Sequence, residues 1–171
     1  IWEMPRGFTL LELLITIVVL TAMMAFAVPS FSALSGQTKM TQLANSLQTF
    51  LHQAKSEAVF RNQDLWAHID IPTNPDSTGS WRIVLTDADT PGVGTTFKVF
   101  SGSPFINISV APNYVSDQIK FDGVRGKITG GSISFHPADD SSEELVLKSS
   151  YGASRILVCG EGGSRYGYPA C

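Results

Sequence analysis

The sequence predicts an α+β fold, in which a long N-terminal helix packs on an antiparallel β-sheet or sandwich domain. Three observations predict it. Across residues 8–28, 17 of 21 positions are apolar, and the exceptions are Thr9, Glu12, Thr16 and Thr21. Across residues 40–58, apolar side chains return at spacings of three and four. Beyond Leu65 they alternate in short runs broken by Gly, Pro and Asp.

The first run, wound as a helix at about 1.5 Å per residue, reaches roughly 31 Å, the thickness of a bilayer's hydrocarbon core. Pro29 lacks an amide hydrogen and crowds the preceding turn, which predicts a helix kink there. Gly36 adds a second weak point. The helix then continues to about Asn62. Met40, Leu43, Leu47, Phe50, Leu51, Ala54 and Ala58 form one apolar stripe, while Gln42, Asn45, Gln48, Gln53 and Lys55 largely take the other faces. Leu65, Ala67, Ile69 and Ile71 alternate with Trp66, His68 and Asp70, the period-2 pattern of a half-buried strand. Residues 74–80, rich in Pro, Asp, Ser, Thr and Gly, read as a loop. Further strands are expected at 81–86, 96–100, 106–110, 118–121, 132–135, 144–148 and 155–159. Strands so short and evenly spaced argue for one or two antiparallel sheets rather than βαβ units.

A chain of 171 residues can build one sizeable core but not two ordinary domains. A net charge of −3 argues against broad, nonspecific nucleic-acid binding, though not against a local basic patch. With one apolar segment and Arg6 on its N-terminal flank, the positive-inside rule puts the C-terminal domain outside the cytoplasm. In that oxidising compartment Cys159 and Cys171 are expected to pair rather than remain as two buried thiols. Closing so short a loop contributes on the order of 3 kcal/mol.

The N-terminal segment admits three readings. Arg6 and the small-x-small pattern Ala25-Phe26-Ala27 fit a cleavable export signal, and the length fits a plain membrane anchor. Neither has a use for Glu12, whose charge inside a membrane helix costs roughly 2.5–3.5 kcal/mol at the centre and less near the interface. The third reading rests on Arg6-Gly7-Phe8-Thr9-Leu10-Leu11-Glu12-Leu13-Leu14 followed by the apolar run and Pro29. This stretch resembles the class III signal of type IV prepilins and type II secretion pseudopilins.

The resemblance implies cleavage by a prepilin peptidase after Gly7 and N-methylation of the new N-terminal residue, Phe8. It implies that Glu12 pairs with the terminal amine of a neighbouring subunit during assembly. The physics agrees, because an amine and a carboxylate in low dielectric attract strongly and each compensates the other's charge. The implied division is a prepilin leader over 1–7 and a transmembrane and assembly helix over 8–29. An amphipathic helix over 30–62 and a β-rich domain over 63–171, with a C-terminal disulfide loop, complete it.

Within that domain, Trp81-Arg82-Ile83-Val84, Ile119-Lys120-Phe121-Asp122-Gly123-x-Arg125-Gly126 and Gly131-Ser132-Ile133-Ser134-Phe135 are similar to the FimT/FimU/GspH group of minor pilins and pseudopilins. The cysteine pair and the tail from Arg155 through Tyr166-Gly167-Tyr168-Pro169-Ala170 favour the pilus branch. What this implies is a minor pilin that primes assembly at the tip of a type IV pilus, with other pilins as partners. The chain would sit in the bacterial inner membrane as a single-pass protein, its domain periplasmic, before reaching the cell-surface pilus. The alternative is the H-type minor pseudopilin of type II secretion.

Some members of the group bind DNA through a Gly-Arg-x-Arg motif before the first tail cysteine. Here the stretch is Ser154-Arg155-Ile156-Leu157, which keeps one arginine. Arg155, Arg165 and Tyr166 are therefore candidates for a weak DNA contact; the alternative is a strand-edge arginine and tyrosines that pack the loop. His52, His68 and His136 lack ligand spacing, and no metal site or cofactor is expected. Asp139, Asp140, Glu143 and Glu144 read as a solvated turn rather than a calcium loop. No nucleophile–base arrangement presents itself, so the chain is not expected to be an enzyme.

Overall fold

In the computed structural model, residues 8–171 are described, with the backbone alone for residues 26–34. The chain forms two compact units, one ending at Thr38 and the other spanning Lys39–Cys171. Helix α1 covers Leu10–Arg61. Its end is set by Asn62, which turns into the left-handed region at φ 51°, the conformation that terminates helices and that asparagine tolerates. Pro29 lies in the stretch of which only the helical backbone is described, so its ring and its expected kink lie outside the described residues.

In the second unit, α1 buries Met40, Leu43, Ala44, Leu47, Phe50, Leu51, Ala54 and Ala58. This is the predicted stripe with Ala44 added. The stripe covers two four-stranded antiparallel sheets. The first is built from β1 (Leu65–Asp70), β2 (Arg82–Thr86), β3 (Thr96–Ser101) and β5 (Gln118–Phe121), in the order β3-β2-β1-β5. The second takes β4 (Ile108–Asn113), β6 (Gly131–Pro137), β7 (Leu145–Ser150) and β8 (Arg155–Gly160), in the order β4-β6-β7-β8. Leu65, Ala67, Ile83, Leu85, Ile119 and Phe121 from the first sheet share one core with Ile133, Phe135, Leu145, Leu147 and Val158 from the second.

Every predicted strand is present, and one is displaced. Strand β4 was expected to begin at Ile106, but Ser103–Phe105 forms a 3-10 turn and Asn107 adopts φ 69°. The strand therefore starts at Ile108 and runs on through Pro112. Proline is tolerated there because β4 is an edge strand, where a missing amide breaks no outer ladder bond; its carbonyl accepts from Asn74 Nδ2 at 3.0 Å. Gly131 is required where β6 begins: a Cβ there would lie 2.3 Å from the ring of buried Tyr114.

Candidate functional site

The first unit presents an apolar helix with no covered face. Phe8, Leu10, Leu11, Leu13, Leu14, Ile15, Ile17, Val18, Val19, Leu20, Met23 and Met24 are all exposed. Apolar surface this continuous is far beyond what a water-facing helix carries. At about 1 kcal/mol for each half-exposed side chain, covering these twelve would gain on the order of 10 kcal/mol.

The polar groups on this helix are handled one by one. Thr16 donates to the carbonyl of Leu13 at 2.8 Å and Thr21 to that of Val18 at 2.9 Å, so both hydroxyls are satisfied within the helix. Thr9 stands at the N-cap, where its Oγ1 accepts from the backbone N–H of Glu12 at 3.2 Å. The carbonyl of Thr9 accepts from Leu13 N–H at 3.2 Å. Thr9-x-x-Glu12 has the spacing of a capping box, a signal legible in the sequence and absent from the expectations above. It gives Thr9 a role, which is to hold the first turn closed and so fix where Glu12 stands. The carboxylate of Glu12 has no partner among the described residues. Phe8 is exposed, and Gly7 lies outside the described residues.

Among the described residues, no helix is long and apolar enough to cross a membrane. The apolar run expected over residues 8–28 extends past Ala25, the last residue before the stretch described by its backbone alone.

The second candidate region is the tail. Cys159 and Cys171 form a disulfide with a Cα–Cα distance of 5.0 Å, as their compartment and number led us to expect. The closed loop lies back along β8. Gly160 N–H donates to the carbonyl of Pro169 at 2.8 Å, and Cys171 N–H donates to that of Gly160 at 3.0 Å. Tyr168 OH donates to Asn45 Oδ1 on α1 at 2.7 Å. Arg165 does not project freely: its guanidinium bonds Glu143 at 2.6 Å and the carbonyl of Glu161 at 3.2 Å. Glu143, expected in a solvated turn, is thereby the counter-charge of the tail arginine. Tyr166 is half-buried beside this pair, and burial is the main cause raising its hydroxyl pKa above 10.0.

Arg155 is exposed at the start of edge strand β8, and Arg165 lies near the other end of it, beside Gly160. A six-residue strand is about 17 Å long. Arg155, Arg165 and Tyr166 therefore do not converge. At the Arg155 end of the strand, Lys127 Nζ stands 4.6 Å from the ring centroid of Tyr151, which follows Ser150, the residue paired with Arg155. Lys55 Nζ closes that end by donating to Ser154 Oγ at 2.8 Å. His68 is buried and bonds the carbonyl of Ala88 through Nε2 at 2.9 Å, a packing role. Among the described residues, no group of His, Cys, Asp or Glu could hold a metal ion.

Comparison with known proteins adds three findings. A family model described as type II transport protein GspH matches residues 43–152, and one described as the prokaryotic N-terminal methylation motif matches residues 4–28. Two crystal structures of the type IV minor pilin FimU from Pseudomonas aeruginosa share the fold at 15% identity, with TM-scores of 0.56 and 0.54. Each covers 71% of this chain, and the alignment spans 92% and 97% of the two FimU chains. No curated protein sequence matches the chain significantly.

Proposed function

Since the chain belongs to the GspH family and carries the N-terminal methylation motif at its start, we propose that it is a minor pilin of a type IV pilus, a structural subunit rather than a catalyst. It enters the filament through its N-terminal helix, and it primes assembly and sits at the tip. A prepilin peptidase cuts after Gly7, Phe8 is methylated, and the helix holds the subunit in the inner membrane until assembly. Other pilins then replace lipid around it.

The observation that carries this reading is the lone carboxylate. Between Phe8 and Met24 the large apolar side chains are exposed, Thr9, Thr16 and Thr21 are bonded within the helix, and the carboxylate of Glu12 has no partner among the described residues. A carboxylate surrounded by apolar surface needs a cation brought from outside, and the amine created by cleavage on a neighbouring subunit supplies one. Glu12→Gln keeps the size and removes the charge. The expected outcome is normal membrane insertion and cleavage with the subunit missing from sheared pili, scored by immunoblot; wild-type amounts in pili would overturn the proposal. Mass analysis of the mature N-terminus checks Phe8 directly, as the first residue and as its methylated form.

The description of the family model favours a second reading, an H-type minor pseudopilin of type II secretion. Deleting the gene separates the two, since loss of pilus-dependent motility supports the first and loss of exoprotein secretion the second. A DNA contact is the weakest part of the proposal. With Arg165 held by Glu143, it rests on Arg155 with Lys127 beside Tyr151. Mobility shift of duplex DNA at low salt tests it, with no shift at high protein concentration as the negative result.

A further inference from the structure

Each sheet has two edges, and three of the four carry backbone pairing from elsewhere in the chain, on β8 at its last residue alone. On β4, Asp76 exchanges both main-chain bonds with Val110, at 3.0 and 2.8 Å. On β5, Thr129 N–H reaches the carbonyl of Lys120 at 3.0 Å and Ile128 bridges Phe121. On β8, the disulfide-closed tail lies against Gly160. Strand β3 has no such cover.

Its outward groups follow from the register. Gly102 N–H donates to the carbonyl of Trp81 at 2.9 Å, and the ladder continues as Ser101 opposite Arg82, Phe100 opposite Ile83 and Val99 opposite Val84. In an antiparallel ladder, pairs bonded to each other alternate with pairs that turn their N–H and C=O away. Gly102 and Phe100 therefore face β2, while Val99 and Ser101 direct both main-chain groups outward. Neither has a backbone partner there among the described residues.

The surroundings of this edge are shaped on both faces. On the inner side, a groove of about 810 Å3 runs between β3 and the flank of α1, lined among others by Asn45, Gln48, His52, Gln53 and Lys98. Lys98 bonds the side-chain amide of Gln53 and no carboxylate among the described residues. On the outer side, a second groove of about 720 Å3 is lined by Val84, Val93 and Val99 together with polar residues that include the Asp70–Arg82 ion pair and Asp117; Val93 and Val99 are exposed.

We propose that β3 is a docking edge that takes an extended segment of a different protein chain as a fifth strand. Outward main-chain groups at Val99 and Ser101, solvated while unpaired, are a template for another extended backbone. Alternation along the incoming strand then fixes its chemistry. Side chains on one face meet amides and the ammonium of Lys98, which suits acidic and polar residues, since Glu57 in the same groove is already paired with Arg61. Those on the other meet Val93 and Val99 beside the Asp70–Arg82 pair, which suits β-branched residues such as valine and threonine. A second copy of this chain fits less well, because pairing β3 with itself brings a second Lys98 to the same edge. This interface is separate from the apolar helix and does not depend on how Glu12 is used.

The test uses the full chain in detergent and a synthetic peptide alternating valine with glutamate and threonine. Saturable binding should slow hydrogen exchange at the amides of Val99 and Ser101. A peptide of the same sequence, N-methylated on the amides of one edge, should bind about tenfold more weakly. Val99→Pro removes one outward donor and should weaken binding similarly, and the N-methylated peptide keeps the test valid should that variant fail to fold. Three results would each overturn the proposal. They are no binding, protection at amides away from β3, and protection at Val99 and Ser101 that grows with protein concentration without peptide, which would identify a second copy as the occupant.

Discussion

Asp64 shows what a single residue does just beyond the helix end. Its carboxylate accepts from Lys120 Nζ at 2.7 Å and from Gly123 N–H at 3.0 Å, joining α1 to the turn after β5. The bond from Lys120, then that from Gly123, holds its pKa below 3.8 despite some desolvation. The same bond raises the pKa of Lys120. A lowered folded pKa means that the native state binds the proton less readily than the unfolded chain. The carboxylate's contribution is therefore fully present above the unfolded value and is lost as pH falls through the lowered one. For Lys120 the sign reverses: its contribution is present below the ordinary lysine value and lost as pH rises through the raised one. Both side chains are partly open to solvent, so the contribution is small and weakens with salt. Asp64→Asn keeps an acceptor for Gly123 and removes the charge. We expect a lower urea midpoint than wild type at neutral pH, with the two curves converging as pH falls below the lowered pKa of Asp64; a difference unchanged at acid pH would exclude a role for the charge.

Among the elements, the second half of α1 was the most legible, because a helix buried on one side prints its contact face as a spacing of three and four. Leu47 lies in the middle of that face with no exposed surface. Leu47→Ala should lower stability by about 2–5 kcal/mol, through lost transfer energy and an unfilled cavity. Thermal melting of the folded protein measures it, and a loss under about 1 kcal/mol would mean the helix is not keyed into the core as described. Ala44 was missed from the stripe because alanine is at home on either face. The strands were legible individually and their partners were not, since pairing is non-local. Strand β5 returns past β4 to pair with β1, in the register Leu65 opposite Phe121, and no local pattern encodes that jump. The candidate site divides in the same way. Glu12 stood out as the one charge in an apolar run, and Thr9 was readable from its three-residue spacing to Glu12. The pairing of Arg165 with Glu143, 22 residues apart, became visible only when the tail folded back, and it removes the free charge that the sequence offered.

At the scale of the whole molecule, two kinds of apolar surface serve two environments. Every described core residue lies at Met40 or beyond, within Lys39–Cys171. The large apolar side chains from Phe8 to Met24 contribute nothing to that core and stand exposed. Folding of the domain and the demand for an apolar environment are thus carried by separate residues. The disulfide, the bond from Tyr168 to Asn45 and the bond from Lys55 to Ser154 all fall within the second unit as well. A chain beginning at Lys39 keeps all of them and loses only surface that water does not tolerate. It should be monodisperse without detergent and melt cooperatively, within a few degrees of the full chain in detergent, a difference of less than about 1 kcal/mol. Light scattering and near-ultraviolet circular dichroism check both parts. Aggregation, or loss of the near-ultraviolet signal with helix content retained, would mean that the first unit supplies packing to the domain, and the separation of roles would fail.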